Sequence, residues 1–308
     1  MVPFTRAAER RPTCSCASTS PYSVCVRIVV IAVPYDAGHR SVGVGLGPAR
    51  LLEAGVANEL RAGGHDVRVV TVEIPPNLPR HELARTVAAA RVLAGEMKIA
   101  RANDELPIVL AGNCSTAVGT LAGCPRDTAV VWFDAHADLN TAETTTTGML
   151  DGLALSMVLG RALRGLTASV DSFEPLGIDR VTLVGARDLD PAEQELLSAG
   201  KVGHVAADAA GTEVETRLRT MGSPPPPVYV HLDLDVIDPA HGRANQYAAP
   251  GGLTPASLQR TLGAIVSTAP LYALAITAYD PIWDRDGRMR QIAIAAVNAV
   301  IPRSNTSE

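Results

Sequence analysis

The stretch Ala129-Val130-Val131-Trp132-Phe133-Asp134-Ala135-His136-Ala137-Asp138 runs from five apolar residues straight into an acidic and imidazole cluster. A second stretch repeats the design: Val228-Tyr229-Val230-His231-Leu232-Asp233-Leu234-Asp235-Val236-Ile237-Asp238. A short continuous apolar run suits a strand buried on both faces, and side chains of an extended chain point alternately to opposite sides. The pattern predicts two buried strands with Asp134, His136 and Asp138 projecting to one side after the first, and Asp233 and Asp235 doing so after the second. Five ligand-type groups can then converge.

Working outward, β-rich runs alternate with longer Ala/Leu-rich amphipathic runs. Strands are expected at 26–33, 67–72, 108–111, 129–133, 181–185, 202–205, 228–234 and 272–277. Helices are expected at 48–62, 82–100, 152–162, 191–199, 255–266 and 289–299. Near-continuous apolar strands separated by helices imply a mostly parallel sheet covered on both faces. The expected fold is α/β, a three-layer sandwich on a central sheet of about eight strands. Pro224-Pro225-Pro226-Pro227 reads as a stiff lead into the strand at Val228.

The chain has 308 residues, 47% of them hydrophobic, enough for the core of an ordinary globular enzyme. Its net charge of -5 and lack of a basic run argue against nucleic acid or an anionic membrane as partner. The longest apolar stretches, such as Val26 to Val33, are far shorter than the roughly 20 residues of a membrane span. Residues 1–25 carry Arg6, Arg10 and Arg11 without an apolar signal region, and read as a disordered extension. Residues 26–303 read as one catalytic domain and 304–308 as a tail. Three of the five cysteines, Cys14, Cys16 and Cys25, fall in the extension, leaving Cys114 and Cys124 in the body. That is no disulfide framework, and it suits a reducing cytoplasm. The Cys14-x-Cys16 pair lacks zinc-site spacing and a matching second half.

In open α/β sheets ligands collect outside the carboxyl ends of the strands, where both acidic clusters fall. Several carboxylates share a pocket only if they are paired or coordinate a cation. One imidazole among many carboxylates favours manganese or a similar dication over structural zinc, and bridging carboxylates favour two ions. A single Asp after a strand is as readily a helix N-cap or turn former. The Thr144-Thr145-Thr146-Thr147-Gly148 run is a plain loop or a ligand-facing one, and its place after the acidic cluster favours the second.

Asp134-Ala135-His136-Ala137-Asp138 with Asn140 and the Thr-rich loop, the His231 to Pro239 segment, Gly251-Gly252-Leu253-Thr254, Gly43 to Pro48 and Gly112-Asn113-Cys114-Ser115 together resemble the signatures of the arginase (ureohydrolase) family over residues 26–303. The resemblance implies a binuclear manganese hydrolase of a guanidino carbon, with a small guanidino amino acid as its partner. By the same carry-over one ion takes Cys114, Asp134, Asp138 and Asp233, and the other takes Asp134, His136, Asp233 and Asp235. Water activated by the metal pair would be the nucleophile, with Asp138 accepting its proton and passing it to the leaving amine. Asn140, Thr147 and Asp190 stand where relatives hold the α-carboxylate and α-amino groups; loop hydrogen bonding is the other reading of these three. Arg187 and Asp188 are expected to build structure nearby. Relatives are often trimers or hexamers, whereas a monomer is plausible for this chain.

Three positions depart from the family pattern. Cys114 replaces a histidine ligand; a thiolate is softer and must first lose its proton, so the ion it holds is expected to be the weaker one. The other reading of Cys114 is a small buried hydrophobe beside a site completed by water. Asp151 stands where many relatives have a histidine proton shuttle, and is a useful acid only if its environment raises its pKa. Ala278 stands where relatives carry the glutamate that pairs with the guanidinium, with Asp280 two residues on as a partial substitute. Arginine's guanidinium is always charged and needs an anion when desolvated. The cysteine and alanine together resemble the branch of the family that hydrolyses Nω-hydroxy-L-arginine, which implies L-ornithine and hydroxyurea as products in antibiotic biosynthesis of the D-cycloserine type. An ordinary arginase or other ureohydrolase releasing urea, and an inactive metal-binding interaction protein, are the alternatives.

Overall fold

Alternation along the first strand shows how the layers arise. In the computed structural model, which describes residues 25–301, β1 (Arg27–Val33) sends Ile28 and Val30 into one apolar core and Val29, Ile31 and Val33 into another. A strand buried on both sides needs a helical layer on each. β2 (Tyr35–Asp36) and β3 (His39–Arg40) form a small antiparallel ribbon. The remaining strands are β4 (Asp66–Thr71), β5 (Leu106–Ala111), β6 (Ala129–Phe133), β7 (Val181–Val184), β8 (Gly203–Val205), β9 (Val228–Asp233) and β10 (Leu271–Thr277). With β1 they make the expected eight-stranded sheet, ordered β4-β1-β5-β10-β9-β6-β7-β8 and parallel at every pairing.

Helices α1 (Gly47–Glu53), α2 (Val56–Ala62), α3 (Glu82–Ala102), α4 (Ala117–Leu121), α5 (Ala154–Val158), α6 (Arg164–Thr167), α7 (Pro191–Ser198), α8 (Ala210–Thr220), α9 (Pro255–Thr268) and α10 (Arg288–Val300) supply the outer layers. One face packs Leu51, Leu60, Val214, Leu262 and Val297, from α1, α2, α8, α9 and α10. The other packs Leu93, Met97, Val118 and Leu155, from α3, α4 and α5.

Two helices differ from expectation. The run at 48–62 is split into α1 and α2, because Gly55 adopts φ 101°, a left-handed turn that a helix cannot carry through. The run at 152–162 shortens to α5, preceded by a 3-10 turn at 151–153 and followed by Leu163 at φ 49°. Helix α8 escapes the sequence reading because only Ala210, Val214 and Leu218 are buried on it, an i, i+4, i+8 stripe within a charged segment. The extension expected over 1–25, including Cys14 and Cys16, and the tail expected over 304–308 lie outside the described residues apart from Cys25. No helix among the described residues is long and apolar enough to cross a membrane.

Strands β5, β10, β9, β6 and β7 are neighbours in the sheet, and since all are parallel their carboxyl ends open on one side. Gly112 locks this edge: its carbonyl accepts from the Ala278 amide at 2.8 Å, and a Cβ there would lie 2.1 Å from the Tyr35 carbonyl oxygen. Gly112→Ala should therefore destabilise the protein by about 1–3 kcal/mol, since backbone cannot yield as a side chain does. Guanidinium unfolding of the variant against wild type measures it, and an unchanged midpoint would refute the packing argument.

Candidate metal centre

The acidic residues gather because β5, β6 and β9 end at one level and each turns sharply. Cross-strand register sets Phe133 beside Leu232, and Thr277 beside Asp233. The alternation expected to run from Asp134 through Asp138 does not do so: β6 stops at Phe133, and Asp138 has a left-handed φ of 54°. Two Asp turns do the gathering. Asp134 Oδ1 accepts from the His136 amide at 2.7 Å, and Asp233 Oδ1 accepts from the Asp235 amide at 2.8 Å. In both, an aspartate bonds the backbone two residues on and folds the next ligand-type group back beside itself.

Ligand atoms of Cys114, Asp134 and Asp233 lie within 4.8 Å of one another, as do those of Asp134, His136 and Asp235. Asp134 belongs to both groups. Cys114 Sγ is 3.1 Å from Asp233 Oδ2, and His136 Nδ1 is 3.3 Å from Asp134 Oδ1 and 3.4 Å from Asp235 Oδ2. Cys114, Asp134, Asp138, Asp233 and Asp235 are all buried. Asp138 stands outside both groups, yet its Oδ2 is a buried atom with no hydrogen-bond partner among the described residues. Such an oxygen calls for an explanation.

Charge supplies one. Burial first, and then the neighbouring carboxylates, push the Asp134, Asp138 and Asp233 carboxyls above their ordinary range, and Asp138 and Asp233 go well above it. Burial also lifts the Cys114 thiol well up, reinforced by Asp233 and Asp138. Burial opposes a charge on His136, but hydrogen bonds to Asp134 and Asp235 outweigh it and carry the imidazole up to about 12. The same bonds hold Asp235 at about 2 against its own burial. Two positive ions in place of that single imidazolium proton would neutralise the excess negative charge and give the bare Asp138 oxygen a partner. The residues fit a pair of divalent cations.

Groups behind the ligands hold them in place. Trp132 Nε1 donates to Asp134 Oδ2 at 3.1 Å, and Asn245 Nδ2 donates to Asp235 Oδ2 at 3.2 Å and to the Ala278 carbonyl at 3.0 Å. The Arg187 guanidinium donates to the carbonyls of Gly185, Asp235, Ala249 and Pro250, tying two loops to the Asp235 backbone. Neither role stood out in the sequence, since Asn245 is an isolated polar group and Trp132 reads there as one more apolar residue of its strand.

The centre lies at the floor of a cavity of about 420 Å³, a size suited to a small-molecule ligand. Asn140, Thr147 and Asp190 line it, as do Asp151, Ala278 and Asp280. Asn140 Nδ2 donates to Asp190 Oδ2 at 2.8 Å, and Thr146, not Thr147, reaches Asp190, at 3.4 Å. The Thr147 hydroxyl instead accepts from the Met149 amide at 3.2 Å. Glu193, missed in the sequence although it completes an Asp190-Pro191-x-Glu193 capping pattern, accepts from the Asp190 amide at 3.0 Å and the Leu139 amide at 2.9 Å. It thereby joins the Asn140 and Asp190 segments. Asp151 accepts from the Asn113 side chain and the Ser115 amide; burial raises its carboxyl to about 6, against those two hydrogen bonds. Ala278 follows β10 with φ 58°, so the strand alternation that would have aimed Asp280 beside it ends there. Asp280 Oδ1 accepts from the Ile282 amide at 3.1 Å.

The fold and the cluster define a class: a parallel α/β protein with a buried carboxylate site suited to divalent cations at the ends of its central strands. The sequence model of the Arginase family matches residues 26–301, and the chain belongs to the arginase family. It is thus a hydrolase of the amidinohydrolase kind, in a family whose enzymes use a binuclear metal centre. It is 30% identical to Arginase-1 of Oryctolagus cuniculus over 248 residues, covering 74% of this chain and 76% of that one. It is 28% identical to the arginase of Bacillus caldovelox over 291 residues, 89% of this chain and 97% of that one. The crystal structure of arginase from Bacillus cereus superposes with a TM-score of 0.81 at 26% identity, covering 90% of this chain and 98% of that one.

Because His136 and Cys114 carry protons that ligands must lose, divalent cations should bind with net proton release, and more tightly as pH rises from about 6 to about 8. Titration calorimetry of manganese in buffers of differing ionisation enthalpy counts the protons. Binding without release would contradict the charge arrangement derived above.

Proposed function

We propose that the protein hydrolyses Nω-hydroxy-L-arginine to L-ornithine and hydroxyurea with two manganese ions, as a cytoplasmic enzyme of antibiotic biosynthesis of the D-cycloserine type. The observation that carries this reading is Ala278: a methyl group lines the cavity where a desolvated guanidinium would need a carboxylate. An electron-withdrawing hydroxyl on nitrogen makes the hydroxyguanidine less basic, so that substrate does not need the missing charge.

The proposed ligands are Cys114, Asp134, Asp138 and Asp233 for one ion and Asp134, His136, Asp233 and Asp235 for the other. The proximity of Cys114, Asp134 and Asp233, and of Asp134, His136 and Asp235, supports both sets. Bound dications would lower the pKa of water and orient it toward the planar guanidino carbon. Asp138 then accepts the proton of the attacking water and delivers it to the side-chain nitrogen as the carbon–nitrogen bond breaks, releasing the ornithine amine. Asp151, with its carboxyl at about 6, serves as a proton reserve near the floor of the cavity. Asn140, Thr147 and Asp190 hold the α-carboxylate and α-amino groups. The many oxygen donors favour manganese. A second reading, ordinary arginase activity, is favoured by Asp36 and Asp280, two carboxylates that also line the cavity.

Ornithine release by the manganese-loaded protein, assayed on both substrates, tests the reading. A desolvated guanidinium without its partner should cost L-arginine about 3 kcal/mol or more, on the order of a hundredfold in kcat/KM. Ala278→Glu should narrow that gap by improving arginine. Equal or better use of arginine by the wild type would favour the ordinary arginase and sink the hydroxyguanidine reading. Asp151→Asn should lower kcat by about a hundredfold with little change in KM, as loss of a proton-transferring group does.

A further inference from the structure

We infer that His231 is a positioning residue for the Cys114 ligand, acting through Thr277, whose hydroxyl proton it directs at the cysteine sulfur. The inference rests on the proposed reading of Cys114 as a metal ligand. His231 sits in β9 two residues before Asp233, and register sets Trp132 of β6 beside it. The two rings stack with centroids 3.6 Å apart and planes 9° from parallel. His231 Nδ1 lies 2.8 Å from the Tyr229 hydroxyl, and Nε2 lies 3.3 Å from Thr277 Oγ1. Thr277 Oγ1 in turn lies 3.2 Å from Cys114 Sγ. Tyr229, His231 and Thr277 are fully buried, and Cys114 is buried with them.

The direction of this chain follows from counting hydrogens. Among the described residues the two ring nitrogens face the Tyr229 and Thr277 hydroxyls, and a neutral imidazole brings a single N–H to these contacts while each hydroxyl brings one O–H. The chain therefore has two settings. In one, sulfur is a thiol, Thr277 donates to Nε2, and Nδ1–H donates to Tyr229. In the other, Tyr229 donates to Nδ1, Nε2–H donates to Thr277, and Thr277 donates to sulfur. A sulfur bound to a cation has given up its hydrogen, so the first setting would leave it facing only oxygen lone pairs. The second gives the buried thiolate a donor, and the Tyr229 hydroxyl can donate to Nδ1 so that Nε2 keeps the hydrogen. The same ring lies flat against Trp132, whose Nε1–H bonds the shared Asp134. One neutral histidine thus braces a ligand in each candidate metal group.

The full chain loaded with cobalt(II) gives the test, through the thiolate-to-cobalt charge-transfer band and metal affinity by competition with a chelator. Cys114→Ser should abolish the band; a band that survives would overturn the ligand reading and the inference with it. If the band is lost in Cys114→Ser, Thr277→Val should shift the wild-type band and weaken cobalt binding by about ten- to a hundredfold, the usual effect of losing a group that supports a ligand. His231→Phe, which keeps the stack on Trp132, should do the same. Unchanged band and affinity in Thr277→Val would overturn the relay while leaving Cys114 as a ligand. Nitrogen-15 spectra of histidine-labelled wild type loaded with diamagnetic zinc read the tautomer with no substitution in the core. Nε2–H is expected, and Nδ1–H would overturn the inference.

Discussion

Four buried aspartates, Asp134, Asp138, Asp233 and Asp235, are held in one pocket with a single imidazole to balance them. Burial, and then the neighbouring carboxylates, push the carboxyls of Asp134, Asp138 and Asp233 up, with Asp235 alone held low by His136, so the arrangement is unfavourable for the isolated chain. The surrounding structure exists to enforce it. Eight parallel strands end at one level, two aspartate turns fold the following residues back, and Trp132, Asn245 and the Arg187 clamp hold the acidic side chains where mutual repulsion would drive them apart. The backbone is strained there too: Asp138 and Ala278 both take left-handed conformations that residues with a side chain adopt at a cost.

This tension is the chemical resource of the site. A pocket that repels its own charge suits dications, and Asp138 Oδ2, buried and without a hydrogen-bond partner among the described residues, is the oxygen most in need of one. The cavity lies above the centre. Asn140, Asp190 and Glu193 form a single hydrogen-bonded unit along it. Ala278, Asp151 and Asp280 line the cavity as well.

Contacts tie the floor of the cavity together. Cys114 touches Thr277, which precedes Ala278 and reaches His231. Cys114 and Ala278 are thus parts of one packed unit at the end of β10.

Much of the fold was legible in the sequence, because buried parallel strands are continuous apolar runs and their period needs no partner to be seen. The acidic clusters were legible for the same reason, as they interrupt those runs at the strand ends. Local conformation was less so: Gly55 divides a helix that periodicity alone carries through, and Asp138 and Ala278 leave the extended path where alternation would have kept them on it. What only the tertiary structure decided is which distant residues meet. Asn245, Thr277 and His231 acquire their roles from strand register and loop crossing, and Thr146 takes the contact with Asp190 because the loop's own turn uses the Thr147 hydroxyl. The sequence determined the chemistry available at the strand ends, since residue type and period are local properties. Its geometry belongs to the fold, since hydrogen bonds between residues a hundred positions apart exist only once the sheet has set its order.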